Sequence, residues 1–111
     1  MTLTEPYHPE LLRIARKVVW FDTPQDALRD LKTFLAQLMV YGSPADVSTV
    51  LRYVPDEEFR KVLLDAPAGV FTAEAWERWH RRYGIRPLPP LPRRQFPDGT
   101  VGPEAGDFFG R

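Results

Sequence analysis

The chain has 111 residues, enough for one domain, with 43% hydrophobic content and seven Phe, four Tyr and three Trp to fill a core. It has no Cys, which excludes disulfide and thiolate-metal chemistry, and no apolar run that reaches membrane-spanning length. Fifteen basic residues balance fifteen acidic ones, against the basic excess usual in a free-standing nucleic-acid binder.

In chain order, His8-Pro9-Glu10 opens the first helix, with Pro9 at the first helical position, where a missing N–H costs nothing. Leu11, Ile14, Ala15 and Val18 follow at helical spacing, and the period extends to Phe21. The β-branched and aromatic run Lys17-Val18-Val19-Trp20-Phe21 makes a short strand the competing reading. Thr23-Pro24-Gln25-Asp26 starts a second helix, with Thr23 as N-cap and Asp26 placed to complete a capping box. Leu28, Leu31, Phe34, Leu35, Leu38 and Met39 predict one long central helix, ended by Gly42 in a left-handed conformation.

Ser43-Pro44-Ala45-Asp46 repeats the starting pattern, and Pro55 stops the third helix near Val54. Asp56, Glu57 and Glu58 fall in the first turn of a fourth helix, where the macrodipole favours carboxylates. Phe59, Val62 and Leu63 form its buried face, and the Ala66-Pro67-Ala68-Gly69 segment breaks it. Thr72 starts a fifth, which carries Trp76, Trp79, His80 and Tyr83 on one face and closes at Gly84. The expected architecture is all-α: a compact array of about five short helices in residues 1–84 with an extended Pro-rich C-terminal arm. Residues 85–97 contain five Pro in thirteen positions and read as a basic polyproline II arm. Residues 98–111 read as a flexible Gly-rich tail.

Catalytic chemistry finds little support. Glu77 and His80 stand at the spacing of a di-iron half-motif, but such a site needs a second pair and further carboxylates. The plain alternative puts His80 against the core and pairs Glu77 with Arg81. No phosphate-binding Gly-rich loop or nucleophile constellation is present, so neither metal, cofactor nor enzyme activity is expected. The two central helices could form a helix-turn-helix, the basis of an alternative reading as a small DNA-binding or transcriptional regulatory protein. Between residues 43 and 65, however, three basic residues face five acidic ones, and phosphate neutralisation needs the reverse.

The arm carries the sharper signal. Arg86, Pro89, Pro92, Arg93 and Arg94 fit the pattern of ligands for aromatic-lined, polyproline-binding grooves in either direction. With Trp79 they are the candidate partner-binding residues, and bidentate Arg–carboxylate pairing suits an acidic partner surface. The plain alternative is that the arm packs on its own domain along Trp76 and Trp79.

The order of residues 15–22 (ARKVVWFD), Tyr41-Gly42, Ala45-Asp46-Val47, Leu51-Arg52-Tyr53, Phe59-Arg60, Phe71-Thr72 and Trp76 resembles a group of short bacterial proteins of unknown function. These are encoded beside nucleotidyltransferase-like toxins of the AbiEii type and taken to be their antitoxins. The resemblance covers about residues 12–83. It implies a cytoplasmic, non-enzymatic protein whose partner is another protein, with no catalytic residues to carry over. Homo-oligomerisation stays open, and neither nucleic acid nor membrane is an expected partner.

Overall fold

Every expected helix start is used: those at Pro9, Thr23, Ser43 and Thr72 rest on a side chain reaching backbone two or three residues away, and the one at Asp56 follows Pro55 without a side-chain cap. The computed structural model describes residues 1–92, in which six helices form and no strand occurs. They are α1 (Pro9–Val18), α2 (Pro24–Arg29), α3 (Leu31–Tyr41), α4 (Pro44–Leu51), α5 (Asp56–Leu64) and α6 (Ala73–Arg82). The His8 ring accepts from Glu10 N at 3.2 Å, and Thr72 Oγ1 accepts from Ala75 N at 3.1 Å. The expected arm beyond Pro92, and the tail at 98–111, lie outside the described residues.

The helix reading of residues 9–18 prevails over the strand, with Leu11, Ile14, Ala15 and Val18 buried. Its extension to Phe21 does not hold. Val19 leaves the helix at φ −120° and ψ 71°, and Asp22 Oδ1 accepts the Thr23 amide at 2.8 Å to prepare the next start. Trp20 and Phe21 fill that short link and point to solvent.

The long central helix is in fact two. Asp30 (φ −100°, ψ 78°) ends α2 and starts α3, its carboxylate accepting from Thr33 N at 3.3 Å. A short acidic side chain competes for backbone N–H groups and favours caps over helix interiors. The break changes the packing: α3 buries the consecutive residues Phe34, Leu35, Ala36, Gln37, Leu38 and Met39. Six consecutive buried residues cover every side of a helix, so α3 is the core strut that the other helices surround.

The two Pro-containing starts also differ. At α2, Thr23 Oγ1 accepts from Asp26 N, but the Asp26 carboxylate turns to Arg29 at 2.7 Å instead of completing the expected box. At α4 the box is complete: Ser43 Oγ accepts from Asp46 N and Asp46 Oδ2 from Ser43 N, both at 3.1 Å. Asp46 is only 5% exposed and also takes Lys17 Nζ at 2.6 Å, tying α4 to α1.

Gly42 does end α3, but not in the left-handed conformation expected; its backbone is extended (φ −75°, ψ 152°). Space is the reason a glycine fits there. A Cβ would stand 2.6 Å from Leu38 Cδ1 and 2.7 Å from Leu38 O, and the carbonyl belongs to the helix backbone. Gly42→Ala is therefore expected to cost about 1–2 kcal/mol through overpacking alone, read as a lower urea midpoint at unchanged slope. Gly84, by contrast, adopts the left-handed conformation (φ 66°) where α6 ends, and Ile85 N then donates to His80 O at 3.0 Å.

Phe59 and Trp79 stack at 5.8 Å and join α5 to α6, while Phe71 meets Trp76 edge-on at 5.3 Å. The chain after α6 returns to the body: Trp76 Nε1 donates to Pro89 O at 2.8 Å and Gly69 N to Pro92 O at 3.4 Å. Ile85 and Leu91 pack against the core.

Candidate protein-docking face

The turn from α3 to α4 separates two unusual pieces of surface. On one side, α4 and α6 run past the end of α3 and leave a groove of about 560 Å³. Pro44, Val47, Ser48 and Leu51 form the α4 wall, Arg78, Trp79 and Arg82 the α6 wall, with Met39 and Gly42 between them. The periodicities that bury one face of each helix set these walls, because Val47 and Leu51, like Arg78 and Arg82, lie four residues apart.

Trp79 holds the α6 wall in place. It is 5% exposed, and its Nε1 donates to Met39 O at 2.8 Å, a carbonyl that also takes Arg78 Nη2 at 3.2 Å. These donors satisfy a carbonyl in the last turn of α3, at the negative end of its dipole. The Arg82 guanidinium lies 5.2 Å from the Trp79 ring and 5.7 Å from that of Tyr83. Burial, and then the Asp56 carboxylate accepting its hydroxyl at 2.6 Å, push the Tyr83 phenol well above its ordinary range. Tyr83 thus stays protonated and joins α6 to the start of α5.

On the other side of the turn, Trp20, Phe21 and Tyr41 are 62%, 60% and 46% exposed. They are not scattered. Trp20 meets Phe21 at 5.5 Å and Tyr41 at 5.2 Å, both nearly perpendicular, the geometry aromatic pairs prefer. Tyr41 belongs to this cluster and its neighbour Gly42 lines the groove, so cluster and groove meet at the α3–α4 turn. Sequence reasoning assigned Phe21 to a buried stripe and missed the cluster. The available signal was that Trp20 falls out of step with Leu11, Ile14, Ala15 and Val18.

The candidate residues read from sequence are dispersed. Trp79 is an interior residue with one edge on the groove. Arg86 is exposed beside a shallow hollow of about 230 Å³ that Glu77, His80, Arg81 and Leu88 also line. Pro89 is exposed but its carbonyl is engaged by Trp76, Pro92 is half-buried, and Arg93 and Arg94 lie outside the described residues.

His80 is buried with Nδ1 2.7 Å from Trp76 O and its ring 4.2 Å from the Trp76 ring, while Glu77 pairs with Arg81. No group of three His, Asp or Glu suited to a metal occurs among the described residues. In the α4–α5 pair, the N-terminal turn of α5 carries Asp56, which accepts from the Tyr83 hydroxyl, and Glu57 and Glu58, which pair with Lys61.

No protein-family model, curated protein or solved structure matches the chain in comparisons with known proteins. Among the described residues no helix is long and apolar enough to cross a membrane.

Proposed function

We propose that this chain is a non-enzymatic protein-binding module that holds its partner on the face around the α3–α4 turn. The observation that carries the reading is the exposed, edge-to-face cluster of Trp20, Phe21 and Tyr41. Leaving three neighbouring aromatic rings in water forgoes hydrophobic stabilisation, and Trp and Tyr are the residues that most often anchor protein interfaces. The Arg- and Pro-rich arm from Arg86 to Arg94 is a second element of the reading, suited to carboxylates on the same partner. The antitoxin-like resemblance makes a nucleotidyltransferase-type toxin, in the cytoplasm, the first partner to try.

The test compares the wild-type chain with a Trp20→Ala/Phe21→Ala variant, isolated from its native cells and co-expressed with the nucleotidyltransferase-type toxin. Both sites are exposed, so stability should change by no more than about 0.5 kcal/mol. Partner affinity should fall by about 2 kcal/mol, roughly thirtyfold. A wild-type chain that associates with no protein, and rescues no toxin, would remove the proposal.

A further inference from the structure

The groove between α4 and α6 has a charge pattern that specifies more than an apolar depression would. Among the described residues its α4 wall bears no charge, and no carboxylate lines it. The charges that the described residues place on it are guanidinium groups on α6, Arg78 and Arg82, whose side chains are 51% and 45% exposed. They stand four residues apart, a rise of about 6 Å, which is one turn of the helix.

Each is held by its own protein without being consumed. Arg78 donates one N–H to Met39 O, and its carboxylate neighbour, Glu74, is 3.8 Å away and 90% exposed. Arg82 is positioned by the Trp79 and Tyr83 rings, with Asp56 also at 3.8 Å. Loose, solvated pairs of this kind contribute little and yield readily to a better-placed carboxylate. The guanidinium groups are thus oriented in advance with N–H donors to spare, which favours forked pairing with carboxylates. Between them and the α4 wall, Met39 and Trp79 offer a buried apolar floor, and Val47 and Leu51 are half-buried.

We infer that this groove takes an amphipathic helix of the partner, its apolar stripe against Val47, Leu51 and Trp79 and two carboxylates one turn apart on Arg78 and Arg82. The inference rests on the protein-binding reading and names the chemistry of what is bound. Apolar anchors at i, i+3 and i+4 give such a helix its grip, as in other helix-in-groove complexes. The one-sided charge sets which flank of the incoming helix faces α6.

Two designed helical peptides test it, identical in a leucine stripe but carrying either two glutamates or two lysines one turn apart on its flank. Each is titrated into the full chain while the Trp79 indole N–H and the Val47 and Leu51 methyl signals are followed by NMR. The glutamate peptide should shift these signals and bind roughly tenfold tighter than the lysine peptide. An Arg78→Glu/Arg82→Glu variant should reverse that order. Ser48→Glu, an exposed change on the opposite wall, should weaken the glutamate peptide and leaves Arg78 and Arg82 in place should the double variant not fold.

Equal binding of the two peptides, or shifts confined to other surfaces, would overturn the inference. So would shifts that appear only after residues 98–111 are removed, which would assign the groove to the chain's own Asp107-Phe108-Phe109 segment. Concentration-dependent shifts without peptide would assign it to a second copy and overturn the inference likewise. A partner whose capture depends on Trp20 and Phe21 while the groove ignores both peptides would leave the protein-binding reading standing and remove only the groove.

Discussion

Trp79→Ala is expected to destabilise the fold by about 3–5 kcal/mol, the range for deleting a buried large aromatic. The indole is 5% exposed and stacks on Phe59 at 5.8 Å and Tyr83 at 6.1 Å, so its removal opens a cavity where α3, α5 and α6 meet. It also removes the 2.8 Å hydrogen bond that joins α6 to the end of α3. In a domain of this size the melting temperature should fall by at least about 12 °C. Trp79→Phe separates the two contributions. A smaller aromatic ring remains in the stack, and Met39 O keeps its Arg78 donor at 3.2 Å, so the carbonyl is not orphaned. The milder variant should lose only about 1–2 kcal/mol. Urea denaturation of both variants checks the ranking, and near-equal losses would mean that the hydrogen bond, not the packing, dominates.

Asp46→Ala should cost about 2–3 kcal/mol, from half of a capping box and a charge-assisted hydrogen bond lost together. The loss stays moderate because Lys17, 52% exposed, can turn to water when its partner is gone. The same residue makes stability pH-dependent. Burial pushes the Asp46 carboxyl up, but Lys17 and both Ser43 contacts outweigh it and hold the carboxyl below its ordinary 3.8. A carboxyl depressed on folding contributes stability that is present above its unfolded pKa and lost as pH falls through the folded one. Glu10, held low first by the Tyr53 hydroxyl, and Glu58, held low first by Lys61, act in the same direction. Stability should therefore be level above about pH 5 and decline below about pH 4. Asp46→Asn should flatten that decline without abolishing it, as urea midpoints measured across this window would show.

The α2–α3 break shows how local rules can compete. Leu28 and Leu31 keep helical step across Asp30, and that apolar period reads as one continuous helix. Asp30 offers the backbone an acceptor at the same place, and six residues on one side with eleven on the other form two helices instead. Gly42 teaches a related lesson. A helix stop is legible in the glycine, but the reason a glycine fits, the closeness of Leu38 to where a Cβ would stand in this extended turn, shows only in the structure. Of the candidate site, Trp79 was legible as part of an aromatic stripe on α6. Its placement against Met39, forty residues away in sequence, was not.

Helix starts at Pro9, Thr23, Ser43 and Thr72, the stop at Gly84 and the apolar faces of α1, α5 and α6 were all present in the chain itself. Their causes act over three or four residues, so neighbours in sequence suffice. The docking face has no such local origin. Trp20 meets Tyr41 because α1 packs against α3, and Val47 faces Arg78 across a groove because both α4 and α6 lie against α3. Burial of α3 from every side brings these distant segments together, and it leaves the aromatic cluster and the two arginines outside.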